Sequence, residues 1–202
     1  MGKLFCIIGK SGSGKDTVFA GILQKNKTLS PVITYTTRPI RINETDGVEY
    51  HFVTEETMNT LENEGKVIER RTYHTVCGDW HYFTCTIDLS GNTNHIMIGT
   101  ADVADKLYRY YPPDDIVIIY LDLPDKERLL RCINRESRQT DPNYSELCRR
   151  FLADEKDFAP ERISSYPNLH TVSAINSKDK VLKECLSIIE QYNIKKVPDN
   201  NE

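Results

Sequence analysis

The sequence predicts an α/β fold, in which a mostly parallel sheet forms the middle of three layers and helices cover both faces. Strands that are apolar throughout, such as 116–121 (IVIIYL), are typical of buried parallel strands. Helical patterns alternate with these strands, as repeated strand–helix–strand units require. A segment rich in glycine and serine, 9–14, lies directly between the first strand and the first helix.

In chain order, the first strand is 3–8, an amphipathic helix follows at about 16–25, and a second short strand is expected at 32–35. Residues 36–86 are different, being polar, aromatic and rich in threonine and arginine, with mixed strand patterns around one acidic helix at 55–64. The α/β pattern then resumes with strands 95–98, 116–121 and 169–172, and with helices 101–110, 125–135, 145–157 and 178–192.

We interpret this organisation as one α/β core with an insertion, which suits a chain of 202 residues. The expected core comprises residues 1–35 and 87–193, including a helical lid at about 131–150. Residues 36–86 are expected to form an inserted mixed α+β lobe, and residues 194–202 a frayed tail.

Composition excludes several classes of protein. The hydrophobic fraction of 39% and charged fraction of 28% are those of a globular domain, not of a membrane bundle, a fibre or a disordered chain. The net charge of −4 provides no basic field for nucleic acid, and no apolar run is long enough to span a membrane. The six cysteines form no C-x-x-C pair, which is typical of reduced thiols. We therefore expect a cytoplasmic monomer or homodimer that binds small molecules.

The segment 9–17 (GKSGSGKDT) predicts a binding loop for nucleotide phosphates, because it follows a strand and opens a helix. Glycines let backbone N–H groups converge on phosphate oxygens, and Lys15 supplies a charge between the β- and γ-phosphates. The predicted nucleotide-binding residues are Gly9, Lys10, Ser11, Gly12, Ser13, Gly14, Lys15, Asp16 and Thr17. Asp16 stands where such loops usually carry the serine or threonine that binds Mg²⁺, so it is a candidate Mg²⁺ ligand; the alternative is a helix-capping role.

Two further motifs, 34–41 (TYTTRPIR) and 46–52 (DGVEYHF), complete a pattern that resembles the guanylate kinase family. The layout is similar from residue 3 to about 192, and the chain looks like a divergent member. The resemblance implies that the acceptor phosphate is bound by Arg38, Arg41, Tyr50 and Tyr82. Two guanidinium groups and phenol hydroxyls independently suit a dianionic phosphate.

The resemblance also assigns the recognition of guanine. Glu69 matches the glutamate that accepts from the N1–H and N2–H₂ groups of guanine, which adenine does not present as a pair. Thr34 and Thr84 keep hydroxyl groups at positions where the family has them. The alternative for Glu69 is a solvated strand residue, since arginines follow it directly.

Three departures from the family pattern follow Glu69. The connection at 72–80 is longer than the family's, and Phe83 replaces a glycine. The acids that end the family's next strand are missing, so either Thr100 contacts the base or Asp102 does so from a shifted position.

Arginines recur along 125–138 and again in the helix that follows. The resemblance places Arg131, Arg135 and Arg150 in a lid that neutralises the transferring phosphoryl group, together with Lys15 and Arg38 as catalytic residues. The alternative is a solvated helix face whose arginines pair with neighbouring acids.

The function implied by the resemblance is MgATP-dependent phosphorylation of GMP to GDP, with dGMP use left open. One alternative is a kinase of ribose 1,5-bisphosphate or of a deoxynucleoside monophosphate, since such enzymes carry a similar G-K-D loop. Another is a non-catalytic guanylate kinase-like binding domain. The motif at 46–52 and Glu69 favour a guanine nucleotide, and the intact Lys15 favours catalysis.

Overall fold

The computed structural model describes residues 1–42, 44–75 and 78–193, so the predicted tail at 194–202 lies outside the described residues. In chain order the strands are β1 (Leu4–Ile8), β2 (Leu29–Pro31), β3 (Tyr35–Thr36), β4 (His51–Phe52), β5 (Val67–Thr75), β6 (Gly78–Cys85), β7 (Asn94–Ile98), β8 (Ile116–Asp122) and β9 (Leu169–Ser173). The α-helices are α1 (Lys15–Lys25), α2 (Glu55–Asn63), α3 (Ala101–Tyr110), α4 (Asp125–Glu136), α5 (Tyr144–Asp157), α6 (Pro160–Ser164) and α7 (Lys178–Asn193).

The central sheet has five strands in the order β2-β7-β1-β8-β9, and every neighbouring pair is parallel. Parallel sheets need helices on both faces, and the alternation of strands and helices along this chain supplies them. The predicted α/β fold class is confirmed. At the carboxyl end of β1, the central strand, the chain enters the glycine-rich segment.

The side chains of β1 alternate between two apolar cores. Phe5 and Ile7 belong to the core that α1 and α7 cover. Leu4, Cys6 and Ile8 belong to the opposite core, which α3 and α6 cover. All five are fully buried, and full burial of one such aliphatic or aromatic side chain stabilises a fold by about 1.5–3 kcal/mol. The strand is therefore a rigid support for the loop that follows it.

A second, mixed sheet has the order β4-β3-β6-β5, with β3 and β4 parallel and the other two pairs antiparallel. Apart from Tyr35, the first residue of β3, its strands and α2 fall within the stretch interpreted as an insertion. Helix α2 begins after the capping residue Thr54, whose hydroxyl accepts from Thr57 N. The boundaries of the insertion at residues 36 and 86 stay a prediction.

The strand predicted at 32–35 was wrong in its bounds. β2 ends at Pro31, where Val32 N still donates to the Ile96 carbonyl oxygen at 2.9 Å, and β3 begins at Tyr35 in the other sheet. Pro31 lacks an N–H group, which suits the edge strand that β2 is. The apolar residues between the two strands cross from one sheet to the other.

The segment 72–80, predicted as a long connection between strands, is itself part of two strands where the structure describes it. Its described residues continue β5 and β6 as an antiparallel hairpin, paired in register from Thr72 with His81 to Thr75 with Gly78. Phe83, which replaces a glycine of the family pattern, is fully buried in β6 and stacks on Tyr35 with ring centroids 5.2 Å apart. The phenylalanine thus packs in the mixed sheet without interrupting the strand.

Within the described part of the chain, none of the helices has the length and apolar character needed to traverse a bilayer.

Candidate active site

The glycine-rich segment at 9–14, called the phosphate loop below, joins β1 to the N-terminus of α1, where backbone N–H groups lack helical partners. Gly12 and Gly14 have φ angles of 84° and 95°, which residues other than glycine rarely adopt. A Cβ atom on Gly12 would lie 2.8 Å from Cys132 Sγ and 3.0 Å from the Arg128 carbonyl oxygen. The loop conformation therefore depends on these two glycines.

Lys15 folds back over the phosphate loop. Its Nζ donates to the Gly9 carbonyl oxygen at 2.6 Å. Burial lowers the pKa of the Lys15 ammonium, and the negative charges of Asp16 and Asp154 oppose this effect. The buried Ser13 Oγ has no hydrogen-bond partner among the described residues. Both groups are desolvated donors, and an anionic phosphate is the kind of ligand that satisfies such donors.

Acidic side chains of α5 contact the phosphate loop, which the sequence did not predict. Ser11 N donates to Asp154 Oδ2 at 2.7 Å, and Arg128 Nη1 contacts the same oxygen at 3.2 Å. Lys10 Nζ forms an ion pair with Glu155 at 2.8 Å. A carboxylate therefore accepts from one of the N–H groups predicted to bind phosphate, and a triphosphate at this position would have to replace it.

The structure brings all three predicted lid arginines to the phosphate loop. Arg131 Nη2 donates to the Ala174 carbonyl oxygen at 3.1 Å, and the residue lines a cavity of about 220 Å³ beside the loop. Arg135 and Arg150 line a smaller cavity, of about 40 Å³, with Ser11. Arg150 Nη2 also donates to Ser11 Oγ at 3.3 Å. These guanidinium groups can add positive charge around a phosphoryl group held by the loop.

Arg38, Tyr50 and Tyr82 form a second cluster, in the mixed sheet and the adjoining loops. The two terminal nitrogens of Arg38 donate to the two Glu44 oxygens at 2.9 Å each, and Arg38 Nε donates to Tyr82 Oη at 3.1 Å. The rings of Tyr50 and Tyr82 are 5.5 Å apart. Arg41 is exposed, and its backbone N donates to Glu44 at 2.8 Å. The sequence analysis did not predict Glu44 as the partner of these arginines. Its position three residues after Arg41 was the signal that could have indicated it.

Glu69 is buried, with 3% of its surface exposed, and both of its oxygens have partners. Thr84 Oγ1 donates to Glu69 Oε1 at 2.9 Å, and Arg71 Nε lies 3.3 Å from Glu69 Oε2. The pairing of β5 with β6 shifts register between Val67 and Glu69, as it does at a strand bulge. Glu69, the predicted base reader, is therefore in direct contact with Thr84, a predicted substrate-binding residue.

A cleft of about 790 Å³, called the acceptor cleft below, separates α1 from the mixed sheet. Its lining residues are Asp16, Phe19, Val32, Thr34, Glu49, Tyr50, Arg71, Tyr73, Trp80, Tyr82 and Ile98. Four of them were predicted as site residues: Asp16, Thr34, Tyr50 and Tyr82. Sequence reasoning missed Glu49 and the hairpin residues Arg71, Tyr73 and Trp80, although the alternation of side chains along β5 and β6 could have revealed the last three.

Thr100 and Asp102, the two residues that could replace the family's missing acids, each have a partner elsewhere in the structure. Thr100 Oγ1 accepts from Val103 N at 3.3 Å and so caps α3. Asp102 forms an ion pair with Arg162, which leaves the shifted-acid alternative without support from the geometry. Ile98, at the strand end where the family carries an acid, lines the acceptor cleft.

Asp16 fits a role in holding Mg²⁺ beside nucleotide phosphates. It is exposed in the first turn of α1 and lines the acceptor cleft, and its carboxylate accepts no hydrogen bond from any described residue. The described residues contain no group of three or more acidic, histidine or cysteine side chains that could hold a metal by themselves. Mg²⁺ commonly binds through one or two carboxylates plus substrate phosphates, and a single free carboxylate suits that arrangement.

The parallel sheet, the glycine-rich loop after its central strand and the arginine-bearing helices place the chain among the α/β proteins with the P-loop fold. A family model described as guanylate kinase matches residues 1–82. The guanylate kinase of Syntrophotalea carbinolica is 32% identical over 155 residues, which are 76% of this chain and 73% of that protein. The chain belongs to the guanylate kinase family.

Two further comparisons extend over nearly the whole chain. The guanylate kinase of Vibrio cholerae is 28% identical over 199 residues, covering 96% of this chain and 90% of that protein. The crystal structure of guanylate kinase from Anaplasma phagocytophilum superposes with a TM-score of 0.65 at 15% identity, covering 96% of this chain and 88% of that one. At this low identity the superposition supports the fold alone.

Proposed function

We propose that the chain transfers the γ-phosphoryl group of ATP to GMP and forms ADP and GDP. The observation that carries this proposal is one shared cleft. Asp16, directly after the loop lysine, lines the same cleft as Thr34, Tyr50 and Tyr82, which match the family's acceptor-binding positions. A donor site and an acceptor site that open into one cleft can bring two nucleotides together for direct transfer. Family membership supports the identity of both nucleotides.

In this reaction an oxygen of the GMP phosphate forms a bond to the γ-phosphorus, and the bond from that phosphorus to the β-phosphate oxygen of ATP breaks. The attacking oxygen is already anionic, so the reaction requires no general base. Lys15 and the N–H groups of the phosphate loop would stabilise the transferring group, while Arg131, Arg135 and Arg150 would neutralise its charge. Arg38 would exchange its ion pair with Glu44 for the acceptor phosphate and hold that phosphate in line with the donor.

Mg²⁺ would be held by Asp16 together with the ATP phosphates, and it would supply neutralisation of their negative charge. A carboxylate close to a triphosphate repels it unless a cation lies between them. Asp16 would thus bind the metal directly or through a water molecule.

Asp16→Ser is expected to raise the Mg²⁺ concentration required for half-maximal activity at fixed ATP, because a hard oxygen ligand is lost. A second substitution, Ile98→Asp, should bring the required Mg²⁺ concentration part of the way back to the wild-type value, since Ile98 lines the same cleft. The measurement is a Mg²⁺ titration of turnover. An unchanged titration with a small loss of thermal stability would identify Asp16 as a helix-capping residue and end the metal assignment.

Glu69→Gln is expected to reduce the preference for GMP over AMP, because an amide donor would replace one acceptor facing the guanine edge. Hydrogen bonds to charged groups contribute about 1.5–3 kcal/mol, so the ratio of kcat/KM for the two nucleotides should fall roughly tenfold or more. Glu62→Gln, on the exposed face of α2, is the matched control. An unchanged ratio in Glu69→Gln would show that the base is recognised elsewhere.

The proposed function is tested by an assay of ADP release with ATP as donor and a panel of acceptors: GMP, dGMP, AMP, UMP and ribose 1,5-bisphosphate. The expected result is the highest kcat/KM for GMP. A preference for ribose 1,5-bisphosphate, dGMP, AMP or UMP would replace the proposed acceptor. A lack of acceptor-dependent ADP release, in protein that binds GMP, would indicate a non-catalytic binding domain.

A further inference from the structure

One face of the β5–β6 hairpin carries a row of side chains, four of which line the acceptor cleft. Glu69, Arg71 and Tyr73 alternate along β5, and in the pairing register they lie opposite Thr84, Tyr82 and Trp80 of β6. Side chains two residues apart share one face of a strand. Arg71, Tyr73, Trp80 and Tyr82 all line the cleft, so the hairpin forms one of its walls.

The charges around the acceptor cleft single out Arg71. Among the described residues that line the cleft, Arg71 is the sole cation, while Asp16 and Glu49 are acids. Arg38 does not line the cleft and is 4% exposed, with both terminal nitrogens donating to Glu44. Arg71 therefore supplies the positive charge among the described lining residues that a phosphate in the cleft can contact.

The guanidinium of Arg71 is fixed at one edge and available at the other. Its Nε and Nη2 atoms lie 3.3 Å and 3.5 Å from the two Glu69 oxygens. The side chain of Glu69 is 1% exposed, whereas that of Arg71 is 42% exposed. Thr84 holds the carboxylate from its other side, and Arg71 Nη1 has no hydrogen-bond partner among the described residues. A buried acid thus orients an arginine whose free donors face open space.

Arg71 also lies directly across the strand pair from Tyr82, one of the predicted phosphate ligands. It pairs in register with Tyr82, the residue that Arg38 contacts. Burial raises the pKa of the Tyr50 phenol, and the positive charges of Arg38 and Arg71 both oppose that rise. The two arginines therefore act on the same hydroxyl from two places, Arg71 from β5 and Arg38 from the loop after β3.

We propose that Arg71 is an acceptor-binding residue that contacts the phosphate of the acceptor nucleotide, and that Glu69 positions its guanidinium. This inference rests on the proposed function, in which the cleft binds a nucleoside monophosphate. A planar guanidinium with one edge on a carboxylate can still donate from its remaining N–H groups to phosphate oxygens. Arg71 would thus add a third arginine to the site, beside Arg38 and Arg41.

The test compares Arg71→Ala and Arg71→Lys with the control Arg70→Ala. Arg70 is the neighbouring residue on the opposite face of β5, where its guanidinium pairs with Glu62 at 2.8 Å. The measured quantities are the KM for GMP, the KM for ATP and the inhibition constant of guanosine, which has the base and sugar of GMP and no phosphate.

We expect Arg71→Ala to raise the KM for GMP at least about tenfold, as loss of a charge-assisted contact should. The KM for ATP and the inhibition constant of guanosine should stay within about twofold of wild type, and Arg71→Lys should recover part of the loss. Arg70→Ala should resemble wild type in all three quantities.

Two results would overturn the inference while leaving the proposed function standing. A KM for GMP in Arg71→Ala equal to that of Arg70→Ala would show that Arg71 does not bind the acceptor. Equal weakening of GMP and guanosine would show that Arg71 acts on the base, directly or through Glu69. A wild-type protein that neither phosphorylates nor binds GMP would instead overturn the proposed function, and this inference with it.

Discussion

Replacement of Lys15 by alanine is expected to reduce kcat for phosphoryl transfer by roughly a thousandfold or more and to leave the fold intact. Removal of one preorganised charge that stabilises the transferring group raises the barrier by several kcal/mol, at about 1.4 kcal/mol for each factor of ten. The Lys15 ammonium is desolvated and donates to the Gly9 carbonyl oxygen, a neutral partner. Removal of the Lys15 ammonium therefore leaves no buried acid without its hydrogen-bonded partner.

The measurement is kcat together with the thermal melting temperature, with Lys25→Ala as the control. Lys25 is an exposed lysine in the last turn of the same helix, far from the loop along its axis. Near-normal turnover by folded Lys15→Ala protein would contradict the assignment of the phosphate loop as the donor site.

Replacement of Arg128 by alanine is expected to have the largest effect on stability, a loss of about 3 kcal/mol in the free energy of unfolding. Arg128 is fully buried, pairs with Asp154 at 3.2 Å and with Asp125 at 3.1 Å, and also contacts Glu155. Its guanidinium stacks over the Phe151 ring at 3.6 Å from the centroid. Asp154 is the largely buried partner, with 16% of its side chain exposed, and removal of one member of a buried ion pair typically costs about 3–5 kcal/mol because it leaves the other charge uncompensated.

Urea unfolding checks this expectation, with Arg149→Ala as the matched control. Arg149 is exposed and pairs with Glu146 within one helical turn, an arrangement that contributes less than about 1 kcal/mol. Arg128→Met separates the loss of charge from the loss of volume, because methionine fills much of the space. Equal stability of Arg128→Ala and Arg149→Ala would show that the network does not hold α4 and α5 together beside the phosphate loop.

Elements specified by local patterns were predicted well. Helix α3 has the predicted bounds, Ala101–Tyr110, because an apolar stripe and the capping residue Thr100 are adjacent in sequence. The division of the 29–36 stretch into β2 and β3 was not predicted, since an apolar run does not indicate that its ends pair with different sheets. The hairpin extension around 72–80 is polar, and its strand structure depends on pairing between its two arms.

The candidate site divides in the same way. The phosphate loop is contiguous in sequence, so its residues could be recognised together. The contact of Ser11 with Asp154 joins residues 143 positions apart, and no local pattern marks it. The arginines after Glu69 left open that Glu69 is a solvated strand residue, whereas the pairing of β5 with β6 places Glu69 and Arg71 on one face, where Glu69 is buried and Arg71 lines the acceptor cleft.

The most direct test of the proposed reaction follows the phosphoryl group itself. Wild-type protein is incubated with MgATP labelled in the γ-phosphate and with unlabelled GMP, and the products are separated. Transfer through the shared cleft predicts labelled GDP in amounts equal to the ADP formed, with little labelled inorganic phosphate. Labelled inorganic phosphate without labelled GDP would contradict the proposal, because it would mean that water, not GMP, accepts the phosphoryl group.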